Sequence, residues 1–114
     1  MDLDIRQTAN ICVIKVKGSL KYGEPVTAFD NAVLAALESG HIQIILDLSA
    51  MPVIDSCGIG SVVNALRKTE ELGGDTKLVS PSSFALKTFK MVGILPLFRL
   101  FATEAEAVEA AQPV

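Results

Sequence analysis

The chain has 114 residues, a mass of 12.1 kDa and a net charge of −3, and half of its residues are hydrophobic. This size and composition predict one packed domain over residues 1–114 and argue against disorder. The mild acidity, without a basic cluster, argues against a nucleic-acid partner. Mean hydropathy is +0.44, but no apolar run approaches the ~20 residues of a membrane helix, so membrane insertion is not expected.

The sequence also predicts where the protein resides. The first residues, Met1-Asp2-Leu3-Asp4, lack the basic start and apolar core of a signal peptide. The two cysteines, Cys12 and Cys57, are far apart and form no Cys-x-x-Cys pattern. We therefore expect two reduced thiols in a cytoplasmic protein.

Five segments have the composition of β-strands. The first is short and of mixed polarity, which predicts an edge strand, whereas the third is the most apolar and predicts a central strand buried on both faces. The five segments are residues 3–9, 11–16, 42–48, 76–80 and 97–101.

Four helices are predicted from apolar spacing and from residues that begin or end helices. The first begins at Gly23-Glu24-Pro25 and ends at Gly40, and the second runs from the Asp55-Ser56 region to about Leu72. The third is capped by Ser82 or Ser83 and ends at Gly93; the fourth begins with a Thr103/Glu106 capping box and reaches Ala111. The order β-β-α-β-α-β-α-β-α predicts an α/β fold with a mixed or mostly parallel sheet covered by helices.

The most informative segment is the junction Asp55-Ser56-Cys57-Gly58-Ile59-Gly60, where a buried strand leads through a loop into a helix. In open α/β sheets such junctions lie at the carboxyl edge, where ligands and partners bind. Free amides and the helix dipole favour an anion there, so a hydroxyl at this position can carry a stabilised phosphate.

Projected at about 100° per residue, this helix has an apolar face and a polar face. Ile59, Val62 and Leu66, with Val63 beside them, are predicted to face the core. The opposite sector contains Ser56, Gly60, Asn64, Arg67 and Glu71, with Cys57, Ser61 and Lys68 next to it. Gly60 leaves bare backbone on this outer face, which permits close approach of a partner.

A purely structural interpretation stands beside the functional one. Asp-Ser before a helix is a common cap, and two glycines in a first turn can serve tight packing against a neighbouring loop. Each glycine costs roughly 1 kcal/mol relative to alanine within a helix, which favours a functional constraint.

Other candidate sites are weaker. His41, the only histidine, fits a turn, and no partner can be placed beside it for a Ser-His-Asp triad. Asp47 and Asp55 could approach a metal ion, but two carboxylates without further ligands make a poor site. Cys57 in a first helical turn could act as a nucleophile, and its alternative role is that of a small, partly exposed contact residue. We therefore predict no catalytic residue, metal or cofactor.

The segment from Asp47-Leu48-Ser49 through Ile54-Asp55-Ser56-Cys57-Gly58-Ile59-Gly60 resembles the signature of STAS domains, and more narrowly that of anti-sigma factor antagonists of the SpoIIAA and RsbV type. The family pattern is a strand ending D-x-S, a short loop, and D-S-[ST]-G-[LI]-G opening a helix. Val92-Gly93-Ile94 and Phe98 resemble a later family stretch. The resemblance covers essentially the whole chain, which implies a single STAS domain over residues 1–114.

The resemblance implies helices packed mainly on one face of the sheet. It also implies a non-enzymatic protein that binds an anti-sigma factor, which is itself a serine kinase of the GHKL ATPase class. Phosphorylation at the motif would block this binding, and a PP2C-type phosphatase would restore it. The expected contact residues are Asp55, Ser56, Cys57, Gly58, Gly60, Asn64 and Arg67, with Ser56 as the phosphorylation site.

Two residues depart from the family pattern. Cys57 stands where many members have a second hydroxyl, which leaves Ser56 as the only hydroxyl inside the motif. Lys21 stands where members often have an acid, and a lysine could attract a phosphate rather than repel it. A second functional hypothesis is therefore a STAS subunit of a transport ATPase or signalling scaffold that uses the same helix face without a phosphorylation switch. A third, an enzyme using Cys57, has no visible base or anion-binding arginine to support it.

Overall fold

The computed structural model describes residues 1–112. Its elements follow the predicted order, with one short 3₁₀ helix added before the last strand. They are β1 (Asp2–Thr8), β2 (Ile11–Lys17), α1 (Glu24–Glu38), β3 (Gln43–Asp47), α2 (Ser56–Glu71), β4 (Asp75–Val79), α3 (Ser83–Met91), a 3₁₀ helix (Leu95–Leu97), β5 (Leu100–Phe101) and α4 (Glu104–Ala111).

The strands form one five-stranded sheet in the order β1-β2-β3-β4-β5. β1 pairs antiparallel with β2, and every later pair is parallel, which confirms the predicted mixed, mostly parallel sheet. β1 is an edge strand and β3 is central, as predicted. Because β2, β3 and β4 run in the same direction, the loops that lead into α1, α2 and α3 all leave from the same edge of the sheet.

The sheet buries apolar side chains on both faces, because alternate residues of a strand point to opposite sides. One face, with Ile14, Ile44 and Leu78, packs against α1, α2 and α3. The other face, with Val13 and Ile45, packs against α4. Three of the four α-helices therefore share one face, in agreement with the arrangement that the resemblance implied.

A buried polar contact joins α2 to the sheet. The hydroxyl groups of Thr69 and Thr76 lie 2.9 Å apart, and both residues are fully buried. The Thr69 hydroxyl also donates to the helix carbonyl of Ala65, at 3.0 Å. Both hydroxyls are thus satisfied inside the core, as buried polar groups require.

The predicted helix ends are confirmed. Gly40, with a φ of +85°, follows the end of α1, and the Ser82 side chain accepts the Ala85 amide at the start of α3. The Thr103 hydroxyl accepts the Glu106 amide and also contacts the Glu106 carboxylate, at 3.1 Å. The Thr103 cap is therefore formed as predicted, but the Glu106 carboxylate contacts the Thr103 hydroxyl and not the Thr103 amide that a full capping box engages.

The prediction of a strand over residues 97–101 is wrong for most of that segment. Only Leu100–Phe101 pairs with β4, and Leu95–Leu97 forms a 3₁₀ helix instead. Pro96 explains the difference, because it has no amide proton for a strand ladder and its fixed φ suits a helical turn. The C-terminal edge of the sheet is consequently only two residues long.

Candidate functional site

The junction between β3 and α2 is held in place by buried apolar residues on either side of a short loop. Leu48, Met51 and Ile54 are buried, and the Met51 amide donates to the Leu48 carbonyl at 3.2 Å to close a turn. The loop therefore has a fixed course, and it delivers Asp55 and Ser56 to the start of α2 at the carboxyl edge of the sheet.

Asp55 is the N-cap of α2 and also a link to another loop. Its Oδ1 accepts the Gly58 amide at 2.9 Å, which is the cap that the sequence predicts. Its Oδ2 accepts the Tyr22 amide at 2.8 Å, from the loop between β2 and α1. These two bonds hold the pKa of Asp55 below its ordinary value, and the bond from Tyr22 has the larger effect. The positive charge of Lys21 lowers the pKa further.

The loop between β2 and α1 lies against the junction along its length. Leu20 forms a parallel β-bridge with Ile54, donates its amide to the Val53 carbonyl at 3.0 Å, and accepts the Asp55 amide at 3.2 Å. The Leu20 side chain is fully buried. The sequence pattern did not predict this contact, although an isolated leucine between Gly18 and Gly23 is a signal that this loop is anchored.

Tyr22 is a further residue at this site, and the sequence pattern gave no indication of it. Its side chain is 81% exposed, the largest exposed fraction among the large hydrophobic residues of the described chain. Its backbone is nevertheless fixed by Asp55. The structure therefore holds an exposed aromatic ring and the charged Lys21 beside the N-terminus of α2.

The two glycines of the motif have different environments. A Cβ on Gly58 would lie 2.4 Å from the Leu20 carbonyl oxygen and 2.7 Å from Ile54 Cγ1, and Gly58 is buried. A Cβ on Gly60 would meet nothing within 4 Å, and Gly60 is exposed. The packing interpretation is therefore correct for Gly58, whereas Gly60 has the bare outer surface predicted for it.

The rest of the α2 face largely matches the helical projection. Ser56, Cys57, Gly60 and Arg67 are exposed and Asn64 is half-buried, so the predicted outer face is open to solvent. Val62 and Leu66 are buried, as predicted. Two placements are corrected: Gly58 does not lie on the exposed surface, and Ser61, predicted beside the outer face, is buried.

Asp47 and Asp55 do not form a metal site together. Asp47 is buried and faces α4 rather than the junction, where it interacts with the Glu104 carboxyl and accepts the Ser49 amide at 3.0 Å. Burial opposes ionisation of Asp47, but the hydrogen bonds outweigh it and the pKa of Asp47 is lowered, while that of Glu104 is raised. Within residues 1–112, no group of three His, Cys, Asp or Glu side chains could hold a metal ion.

The remaining candidates are placed as follows. Cys12 is buried in β2, where burial raises the pKa of its thiol, and Cys57 is exposed; neither cysteine is in a disulfide. His41 lies in the connection between α1 and β3, as predicted. None of the helices in the described part of the chain has the length and apolar content needed to cross a bilayer.

Comparison with known proteins identifies the family. The sequence model of the STAS domain family matches residues 2–107 of this chain. The anti-sigma F factor antagonist of Lysinibacillus sphaericus is 31% identical over 103 residues, which span 90% of this chain and 86% of that protein.

Solved structures agree. The anti-sigma factor antagonist SpoIIAA in its unphosphorylated form superimposes with a TM-score of 0.84 at 27% identity, covering 96% of this chain and 95% of that one. The phosphorylated form of the Bacillus cell fate determinant SpoIIAA gives a TM-score of 0.80 at 26% identity, covering 97% of this chain and all of that one. The murine anion transporter Slc26a9 shares the fold alone: its TM-score is 0.77 at 20% identity, covering 94% of this chain but 18% of the transporter. The chain therefore belongs to the STAS domain family and, within it, to the anti-sigma factor antagonists.

Proposed function

We propose that this chain acts as a single, non-enzymatic STAS domain in the cytoplasm. It binds an anti-sigma factor that is also a serine kinase of the GHKL ATPase class. The contact surface is the exposed face of α2, from Ser56 and Cys57 through Gly60 to Asn64 and Arg67. Asp55 and the buried Gly58 act from behind this surface, by holding the start of α2 and the neighbouring loop.

The observation that carries the proposal is the position of Ser56. It is the first residue of α2 and it is exposed, and the neighbouring Asp55 holds both the first turn of α2, through Gly58, and the loop between β2 and α1, through Tyr22. A kinase can reach such a hydroxyl, and the helix N-terminus stabilises the phosphate that results. Structures of the related SpoIIAA in phosphorylated and unphosphorylated forms are consistent with this role.

Phosphorylation of Ser56 would act by changing the charge of the contact surface. A phosphate adds about −1.5 to −2 charges, on a protein whose net charge is −3. The hydration shell of this charge must be removed before a partner can pack against α2, and that removal weakens binding. The kinase then dissociates, and a PP2C-type phosphatase restores binding by removing the phosphate.

The first test identifies the partner and the modified residue. The tagged chain is used to capture proteins from the native lysate, with a Gly60→Arg variant as the matched control. Gly60→Arg places a long side chain where there is open space, so it is expected to fold and to lose the partner. Recovery of a GHKL-type ATPase only with the unmodified chain supports the proposal, and recovery of a transport ATPase supports the non-switching alternative.

The second test concerns the switch. The purified kinase and ATP are incubated with the chain, and the phosphorylated residue is mapped by mass spectrometry. We expect phosphate on Ser56, loss of binding in Ser56→Asp, and retained binding in Ser56→Ala. Ser83→Asp is the matched control, because Ser83 is the exposed first residue of α3. Phosphate on another residue only, or equal binding by the two aspartate variants, would contradict the switch.

A further inference from the structure

β1 offers an unpaired strand edge. It is seven residues long, from Asp2 to Thr8, and pairs with β2 on one side only. Within residues 1–112, no other strand lies along its second side. Such an edge presents a row of free amide and carbonyl groups that can pair with another strand. β5, at the other edge of the sheet, has only two residues and offers much less.

The side chains of β1 alternate between the two faces of the sheet. Ile5 lies opposite Ile14, on the face that packs against α1, α2 and α3, and it is 44% exposed. Asp4 and Arg6 lie opposite Lys15 and Val13, on the other face. The Asp4 and Arg6 side chains are 44% and 53% exposed. An apolar residue at the centre of the strand is thus flanked by two residues of opposite charge.

We propose that β1 pairs antiparallel with β1 of a second copy of this chain. The two-fold axis lies between the two Ile5 residues, and the two five-stranded sheets join into a single sheet of ten strands. An axis relating two antiparallel edge strands stands perpendicular to the sheet. It therefore passes between two copies of the same residue. Each residue of β1 that could lie opposite its own copy defines one possible register.

Charge selects among these registers. With the axis at Ile5, Asp4 of each copy lies opposite Arg6 of the other, and the two Ile5 side chains meet. With the axis at Leu3, Asp2 faces Asp4. With the axis at Asp4, two Asp2–Arg6 pairs form, but the two Asp4 carboxylates face each other. With the axis at Arg6, the two guanidinium groups face each other, so only the Ile5 axis combines two unlike pairs with no like pair. Directly opposed unlike charges stabilise a strand pair, and like charges destabilise it.

The same register also matches the two strands from end to end. With the axis at Ile5, Asp2 lies opposite Thr8, so all seven residues of β1 are paired. Every other axis leaves part of the strand unpaired. Arg6 already donates to Glu104 of its own chain, and its Nε lies 3.9 Å from Asp4 Oδ2 of the same strand, but a guanidinium has five N–H donors and can also serve Asp4 of a second copy. Charge and length thus favour one register independently of each other.

The association does not depend on the function proposed above. β1 lies at one edge of the sheet, whereas Ser56 begins α2, which follows the central strand β3. A dimer formed through β1 would leave the α2 face of each copy open for its partner. Loss of self-association and loss of kinase binding can therefore be measured separately.

The test is sedimentation equilibrium of the full chain over a concentration series that reaches about 1 mM. We expect the mass to rise from 12.1 kDa toward twice that value. Amide resonances of residues 2–8 are expected to shift on dilution. A monomer at every concentration, or dilution shifts confined to other segments, would overturn the proposal.

Charge variants test the register. Asp4→Arg replaces two attractive cross-strand pairs by two repulsive ones and should weaken the dimer about tenfold or more. Asp2→Arg makes the same change in net charge on the same strand, opposite Thr8, and should alter the dissociation constant less than about threefold. Equal effects of the two variants would refute the Ile5 register.

A complementary pair of variants makes the test independent of losses in folding. Asp4→Arg alone places a second guanidinium opposite Arg6, and Arg6→Glu alone places a second carboxylate opposite Asp4, so each variant alone is expected to self-associate about tenfold or more weakly than the parent chain. In a mixture, one chain carries only positive charges at these two positions and the other only negative charges, so the dimer should return. Circular dichroism of each variant verifies the fold, because Arg6→Glu also removes the bond to Glu104. Two folded variants that associate no more strongly when mixed than each does alone would contradict the proposal.

Discussion

Replacing Gly58 by alanine tests how tightly the start of α2 is packed against the loop between β2 and α1. The new Cβ would lie 2.4 Å from the Leu20 carbonyl oxygen and 2.7 Å from Ile54 Cγ1, distances that real Cβ atoms essentially never show. The carbonyl cannot move freely, because it accepts the Asp55 amide at 3.2 Å. Relief of the clash must therefore displace the loop or the first turn of α2.

The expected loss of stability follows from two opposing effects. Overpacking of a core site costs about 1–3 kcal/mol, and contact with backbone places Gly58→Ala in the upper part of that range. Alanine is favoured over glycine within a helix by about 1 kcal/mol, which offsets part of the cost. We expect a net loss of about 1–2 kcal/mol in the free energy of unfolding, or a melting temperature about 4–8 °C lower for a domain of this size.

The matched control is Gly60→Ala, in the same helix turn but with open space around the new Cβ. It gains helix propensity without a clash, so it should raise the free energy of unfolding by up to about 1 kcal/mol. Both variants are compared with the parent chain by urea unfolding followed by far-ultraviolet circular dichroism. A Gly58→Ala variant as stable as Gly60→Ala would refute the packing assigned to Gly58.

Three further predictions concern single groups. Asp55→Ala removes the acceptor of two amides and should lower stability at neutral pH. Because the pKa of Asp55 is lowered in the folded protein, the stability difference between the parent chain and this variant should disappear as the pH falls below the ordinary aspartate range. Thermal melts of both proteins at a series of pH values measure this difference. Thr76→Val removes the 2.9 Å contact with Thr69, whose hydroxyl keeps its bond to the Ala65 carbonyl, so it should cost about 0.5–1.5 kcal/mol in urea unfolding, and an unchanged midpoint would contradict this. Cys57, which is exposed, should react with a thiol reagent in the folded protein, whereas Cys12 should react only on unfolding; equal rates would show that β2 opens readily.

The sequence predicted the features that depend on residues close together in the chain. The caps at Ser82, Thr103 and Asp55 and the helix end at Gly40 were all found where expected. Each depends on hydrogen bonds or backbone angles within about one helical turn, so the local residue types are sufficient to specify it. Apolar periodicity likewise identified the buried face of α2, because burial repeats with the period of a helix. A nearly continuous apolar run identified the central strand β3, because a strand covered on both faces buries successive residues.

Local pattern was less reliable where two signals competed. Residues 97–101 are apolar and suggested a strand, but Pro96 fixes a helical turn just before them, and the strand begins only at Leu100. Ser61 lies near the polar sector of α2 in projection and is nevertheless buried. A helical projection shows which side of a helix is apolar and does not show how far the neighbouring elements cover it.

Only the tertiary structure decided what surrounds the candidate site. The Tyr22 amide reaches Asp55 across 33 positions of sequence, and the Leu20 carbonyl fills the space that a side chain at residue 58 would need. The pattern of residues 55–60 alone favoured a functional constraint for both glycines and could not separate the packed Gly58 from the exposed Gly60. Contacts between distant segments depend on how strands and helices are arranged in space, and neither periodicity nor residue type at one position encodes that arrangement. The sequence therefore determined that α2 begins at Ser56 with a polar outer face, whereas the docking of the loop that contains Leu20 and Tyr22 decided which parts of that turn are buried and which are open to a partner.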